Sequence, residues 1–359
     1  MTEGTNAAHI RIGIAGQGRS GWGIHATTLR ALPDQYRVVA VTDPIKQRQE
    51  EARTALGCRA YGDFASLLRD DEVEVVVVAV PNRLHAEYSQ AALAAGKHVI
   101  CEKPFALTVA DADATIAAAT RAGRLVVPFQ NRRYEPHFRK VLEIVHSGVL
   151  GQLLLVRIAW HSFGRRWDWQ TLLGFGAGLL ANNGPHLLDH AVHFLGDGDP
   201  EVFADLRNGL SSGDAEDHCK VVLKAAGGPT VDVEVTACAA LPQDRWQIMG
   251  TAGGLSGTTS ELRWRYVDWR AMPQRPVSEE PTPDRSYNRE KLEWQEETWR
   301  APKDAVSDNY AFYQDLYRTL REGAPLAITP ESARRYVAIL DRCRALYIPS
   351  GPTLASLAR

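Results

Sequence analysis

The chain lacks the usual marks of a membrane, nucleic-acid-binding or disulfide-stapled protein. Of its 359 residues only 5 are Cys and 3 are Met. Cys58, Cys101, Cys219, Cys238 and Cys343 are odd in number, scattered and without a CxxC pair, so reduced thiols, mostly in the core, are expected. The formal net charge is −2, which leaves no global basic field for nucleic acid or an anionic lipid surface. Apolar runs such as VEVVVVAV (73–80) are far too short to span a bilayer. The opening MTEGTNAAH has no cationic segment followed by an apolar one, so secretion is not expected and a cytoplasmic location is. Internal repeats and low-complexity tracts are also missing.

What is present is ordinary globular composition, 45% hydrophobic and 23% charged. The length suggests two domains. The first third alternates apolar strands, such as HIRIGIA (9–15), YRVVAVT (36–42) and HVIC (98–101), with helical segments at 22–32, 46–56, 84–95 and 108–122. Continuous apolar strands between amphipathic helices predict a parallel sheet covered on both faces, a doubly wound Rossmann domain over 1–130. From 131 to 359 the pattern changes. LLLVRIAW (153–160), CKVVLKA (219–225) and TVDVEVTAC (230–238) alternate apolar and polar residues, which predicts a mostly antiparallel sheet with one wetter face. Residues 273–288 read as a surface loop, and helices at 308–322 and 331–346 close the chain, free to pack back on the first domain.

Gly16-Gln17-Gly18-Arg19-Ser20-Gly21 reads GxGxxG between a strand and a helix, and Asp43 ends the next strand 22 residues past Gly21. That context predicts a dinucleotide cradle. Gly16 permits the turn, Gly18 lets the backbone approach a pyrophosphate, and the helix start offers free N–H groups. Asp43 would accept from a ribose diol and repel a 2′-phosphate, which favours NAD; Lys46 and Arg48 nearby keep NADP open. Pro81, Asn82 and His85 follow the long buried strand, where ligands collect in such sheets, although a plain turn and helix cap would read the same way. Glu102-Lys103-Pro104 follows HVIC and faces the same crevice, and Gln130 follows the last strand of this half.

Together GxGxxG (16–21), VPNxxH (80–85), EKP (102–104), NRRY (131–134) and GxGxLxxxxGPHxxD (176–189) resemble the glucose–fructose oxidoreductase/inositol dehydrogenase family, Gfo/Idh/MocA, in the family's order. The resemblance implies a Rossmann domain, a C-terminal α/β domain with a large open sheet, and sugar or polyol chemistry at a nicotinamide. It also implies homodimers or homotetramers built through that sheet. Arg19, Ser20, Pro81, Asn82, His85, Glu102, Lys103 and Gln130 join the glycines and Asp43 as expected cofactor contacts.

NNGPHLLDHAVH (182–193) places His186, His190 and His193 on one helical face. Three consecutive turns spread them about 10 Å along the axis, too far for one zinc ion, so no metal site is expected. Pro185 marks a helix start and puts His186 in the first turn, where the dipole disfavours imidazolium. The resemblance makes His186 and Lys103 the acid/base and polarising pair, with Asn182 where many members carry aspartate. An amide cannot carry the proton, and its neutrality should ease deprotonation of both partners. His190 and His193 read as packing residues.

Arg132, Tyr134 and Asp189 are expected near substrate. Arg165, Arg166 and Trp167 lie in HSFGRRWDWQTL (161–172), which reads either as a sugar-binding loop, with arginines suited to a carboxylate, sulfonate or phosphate, or as a tryptophan-anchored structural loop. The expected function is NAD-dependent oxidation of a sugar, sugar derivative or polyol at a secondary ring carbon, often C3 in this family. One alternative is an NAD-dependent glycoside hydrolase working by transient oxidation, elimination, water addition and re-reduction. A second is a non-catalytic sugar or cofactor sensor.

Overall fold

The computed structural model describes residues 9–349. Most of the polar opening segment and the last ten residues lie outside that range. The first sheet holds β1 (Ile10–Ala15), β2 (Tyr36–Thr42), β3 (Arg59–Tyr61), β4 (Val75–Val78), β5 (His98–Cys101) and β6 (Val126–Pro128). All are parallel, in the order β3-β2-β1-β4-β5-β6. Successive side chains on a strand face opposite ways. Accordingly Val76 and Val78 enter one apolar cluster, while Val75 and Val77 enter another on the far side. Burial on both faces is why these strands carry no polar alternation.

Helices α1 (Thr27–Arg30), α2 (Lys46–Leu56), α3 (Phe64–Leu68), α4 (His85–Ala94) and α5 (Val109–Ala122) connect these strands. The expected helix over 22–32 begins instead as a π-helical turn, Gly21–Ala26, before α1. α5 starts where the Thr108 hydroxyl accepts from Asp111 N–H and stops at Gly123, which takes a left-handed φ of 58°.

The second sheet contains β7 (Leu153–His161), β8 (Glu201–Arg207), β9 (His218–Lys224), β10 (Thr230–Thr236), β11 (Trp246–Gly250), β12 (Gly253–Gly257), β13 (Glu261–Tyr266) and β14 (Gln295–Arg300). Its order is β14-β13-β12-β11-β7-β10-β9-β8, and every pair is antiparallel except β7 with β10. Val156, Ile158, Val221, Val233 and Trp246 share the covered face. Helices α6 (Pro136–His146), α7 (Leu179–Asn182), α8 (Gly184–Val192) and α10 (Pro330–Leu346) contribute to the same cluster. The opposite face carries an ion ladder: Lys220 reaches Asp232 at 2.6 Å and Glu234 at 2.9 Å, and Arg157 reaches Asp232 at 3.2 Å.

Helix α9 (Asp308–Glu322) returns to the first sheet. Its Phe312, Tyr313 and Leu316 pack in the cluster of Ile10, Ile12 and Ile14. Among the described residues no helix is long and apolar enough to cross a membrane.

Candidate active site

The glycine loop between β1 and the π-helical turn is shaped by contact at two glycines and by open space at the third. A Cβ on Gly16, whose φ is +92°, would stand 2.4 Å from the Ala79 carbonyl oxygen. One on Gly21 would stand 1.8 Å from the Gly16 oxygen. At Gly18 nothing lies within 4 Å. Two glycines therefore close the turn, and the third leaves its backbone bare towards the crevice, as a pyrophosphate requires. Asp43 braces this loop: its Oδ2 accepts from Gln17 N–H at 2.8 Å, and its Oδ1 from Ile45 N–H at 2.9 Å. The Arg48 guanidinium stands 3.4 Å from Oδ2. These groups fit NAD: the loop for the pyrophosphate, exposed Arg19 and half-buried Ser20 at its rim, and Asp43 for a ribose.

Beyond β5, Glu102 and Lys103 diverge. The Glu102 carboxylate accepts from its neighbour's amide, Lys103 N–H, at 3.0 Å and from His25 Nε2 at 3.1 Å. The other ring nitrogen, His25 Nδ1, stands 2.7 Å from the Tyr313 hydroxyl. Burial raises the Glu102 carboxyl, but the His25 bond, His25's charge and the Lys103 charge more than offset it, and it is held near 2. Both Glu102 oxygens serve this buried brace. His85 is buried as well. Its Nδ1 stands 2.7 Å from the Pro104 carbonyl oxygen and its Nε2 2.9 Å from that of Val80, so it ties two loops together.

Lys103 points into the crevice. Its Nζ donates to the Asn182 backbone oxygen at 2.8 Å and to Asn182 Oδ1 at 3.1 Å. The Asn182 Nδ2 group donates to Gln170 Oε1 at 3.3 Å, which orients the amide. Burial lowers the Lys103 pKa; Glu102 opposes that, while Arg19, Arg132 and Arg166 add to it. His186 lies in the first turn of α8, after Pro185, and is 6% exposed. Burial, then the charges of Arg132 and Lys103, hold it well below the usual histidine range, so it is neutral. Its Nδ1 has no hydrogen-bond partner among the described residues.

The histidine face of α8 divides its work. His190 stacks on Phe138, with ring centroids 3.8 Å apart, and its Nε2 stands 3.2 Å from the Arg132 carbonyl oxygen. His193 meets the edge of Phe138. Both pack, although His190 Nδ1, like His186 Nδ1, has no hydrogen-bond partner among the described residues. Among the described residues no group of three or more His, Cys, Asp or Glu is placed to hold a metal ion.

The wall opposite is built on Trp160, at the end of β7. Its ring lies 6.3 Å from that of His186, and the guanidinium carbons of Arg132 and Arg245 each stand 4.6 Å from its centroid. Arg132 is ion-paired with Glu135. The Trp246 indole N–H donates to His137 Nδ1 at 3.0 Å, so His137 Nε2–H donates to Glu135 at 2.9 Å. Burial raises the Glu135 carboxyl, yet the His137 bond and Arg132's charge hold it near 2.

Other expected residues find other partners. Arg133 grips Asp189 with two bonds of 2.8 and 2.6 Å, and Asp189 is 1% exposed. Each Asp189 oxygen accepts one of these bonds. The Tyr134 hydroxyl donates to Asp315 on α9. Arg166 pairs with Asp168 at 2.8 and 2.9 Å, Arg165 donates to Ser212, and Trp167 is 78% exposed at the loop tip. Pro81 is half-buried, Asn82 donates to the Gly176 carbonyl and Gln130 is buried. Sequence reading missed His25, Gln170, Glu135 and Arg245, which no motif marks. Trp160 was legible from period-two alternation with Val156 and Ile158.

Glu216 was missed as well. Its buried carboxylate accepts from Leu180 N–H at 2.9 Å, and its carbonyl accepts from Leu179 N–H at 2.9 Å. It thereby anchors α7, whose last residue is Asn182.

The chain is similar to known proteins along most of its length. Residues 10–129 match the model of the oxidoreductase family with an NAD-binding Rossmann fold, and residues 138–256 match the Gfo/Idh/MocA C-terminal domain. Inositol 2-dehydrogenase 2 of Saccharopolyspora erythraea is 32% identical over 293 residues, covering 79% of this chain and 84% of that one. Myo-inositol 2-dehydrogenase of Thermotoga maritima is 33% identical over 197 residues, 55% of this chain and 58% of its own. The chain spans about half the length of several such curated relatives. Among solved structures, the WlbA dehydrogenase of Bordetella pertussis, in complex with NADH and UDP-GlcNAcA, superposes with a TM-score of 0.74 at 18% identity, covering 96% of this chain and 99% of that one. With both family domains matched in order, the chain belongs to the Gfo/Idh/MocA family of NAD-binding oxidoreductases.

Proposed function

We propose that the chain oxidises a secondary ring carbinol of a sugar, sugar derivative or polyol, with NAD as hydride acceptor, C3 being the first carbon to test. The observation that carries this reading is the grip of Asn182 on Lys103 beside a neutral His186. Asn182 offers two acceptors, which take two N–H bonds of Lys103. The third position on Nζ holds a proton in the ammonium and a lone pair in the amine. Lys103 therefore changes protonation state without losing either bond. As the amine it removes the hydroxyl proton while hydride leaves the same carbon; as the ammonium it returns that proton in the reverse direction. His186, neutral and with an unpartnered nitrogen, holds the hydroxyl in line. Trp160 offers its ring to the apolar face of a sugar.

The relatives named inositol dehydrogenases support the substrate class. The test is a panel of sugars, polyols and aryl glycosides with NAD, following product and absorbance at 340 nm together. NADH build-up supports the dehydrogenase. Aryl glycoside cleavage without NADH build-up assigns the site to redox-neutral hydrolysis instead. Undiminished biological activity of Lys103→Met would make the protein a sensor. We also propose that copies of the chain meet on the open face of the second sheet, where Phe203 and Met249 stand 61% and 43% exposed; light scattering measures the assembly.

A further inference from the structure

Most of the cations around the crevice have a carboxylate or another oxygen acceptor. Arg132 has Glu135, Arg166 has Asp168, and Arg133 has Asp189. Lys103 has the Asn182 oxygens and is the proposed proton carrier. Arg19 stands at the rim of the pyrophosphate loop. Arg245, just before β11, is half-buried and rests on Trp160 with Arg132 close by, yet among the described residues its guanidinium makes no hydrogen bond and no ion pair. Burial pulls it down to about 10; Glu135 opposes that and Arg132 adds to it.

A guanidinium withdrawn from water without a carboxylate is costly to keep. The cation–π contact with Trp160 favours a charge here but leaves the N–H donors of the guanidinium without an acceptor. Its fork is, however, matched to an oxyanion, which it can hold through two parallel N–H bonds. The ring that it lies on is the same one that stacks near His186.

We propose that Arg245 binds an oxyanion substituent of the sugar, a carboxylate, sulfonate or phosphate, while the reacting hydroxyl lies between His186 and Lys103. This deepens the dehydrogenase reading and rests on it for the place of the reacting carbon. Trp160 then faces the ring between the two ends, and Arg245 discriminates anionic sugars from neutral ones.

The experiment compares glucose with glucuronate, glucose 6-phosphate and 6-deoxy-6-sulfoglucose, using the NAD-loaded wild type, Arg245→Gln and Arg245→Lys. Two readouts are taken, kcat/KM and calorimetric affinity. The expected result is a wild-type preference for at least one anionic sugar of about tenfold to a hundredfold, the worth of one charge-assisted pair. It should collapse in Arg245→Gln and return in part in Arg245→Lys, with NAD affinity unchanged. The three anions distinguish which oxyanion is meant. Equal loss for glucose and the anions would show that Arg245 only props Trp160, and overturns the proposal. So does a wild type without preference. Should Arg245→Gln not fold, the Arg245→Lys preference decides alone. Arg245-dependent anion binding with no turnover of any sugar would sink the dehydrogenase reading and leave the anion site standing.

Discussion

The Glu216 carboxylate occupies the space that a side chain at Gly178 would need: a Cβ there would stand 2.2 Å from Oε1. Gly178 has a φ of +117°, so a carboxyl group and a glycine together set the start of α7. Burial raises Glu216 from 4.5 to about 7, so the folded protein keeps a proton that the unfolded chain releases. Its contribution to stability is complete below the unfolded value and is lost as pH rises through the folded one. The loss is on the order of 3 kcal/mol. Urea unfolding at about pH 5 and about pH 8 should show it, and Glu216→Gln should flatten the difference. A wild type equally stable at both pH values contradicts the assignment.

Asn182 is the second test. Asn182→Asp places a carboxylate against Lys103 and stabilises the ammonium, opposing the burial that lowers its pKa. The rising limb of kcat/KM for sugar oxidation should move to higher pH by about one to two units. An unchanged pH profile would remove Lys103 from the role of base.

Two glycine variants separate cofactor binding from folding. Gly18→Ala meets open space, so its thermal midpoint should stay within a few degrees while NAD affinity falls by about tenfold or more. Gly21→Ala drives a methyl group into the Gly16 carbonyl and should cost several kcal/mol, on the order of other overpacked buried sites. Equal NAD affinity for Gly18→Ala and wild type would mean that the loop does not hold a pyrophosphate.

Asp189→Asn leaves Arg133 buried with no counter-charge. The expected destabilisation is about 3–5 kcal/mol by chemical denaturation, with the sugar KM of the folded fraction little changed. A raised KM at full stability would return Asp189 to the substrate.

Much of this was legible before any coordinates. Five of the six parallel strands announce themselves because burial on both faces leaves them largely apolar, as in VVVV of β4, whereas β3 is a short RAY with Arg59 exposed and went unread. In the second sheet β8, β12 and β14 escaped notice, and the last two carry little pattern. β12 is GGLSG, three glycines held between β11 and β13, and β14 is QEETWR, a polar edge. At the site, Lys103, Asn182 and His186 stood out because short motifs sit where strands and helices begin or end. The partners of Asp189, Tyr134 and Glu102 lay beyond sequence reading for one shared reason. Spacing tells which way a side chain faces, while its partner, here Arg133, Asp315 or His25, comes from a distant segment. Arg245 was invisible because its meaning lies in the carboxylate that does not accompany it.

The return of α9 has a consequence for how the protein is made. Tyr313 completes the brace behind Glu102 from a point 288 residues beyond His25. A ribosome that has finished β6 has released every glycine of the phosphate loop, but not the aromatic pair, Phe312 and Tyr313, that seals the far side of β1. The apolar cluster behind the nucleotide sheet can therefore close only after α9 has been synthesised, which makes its completion a late event in folding.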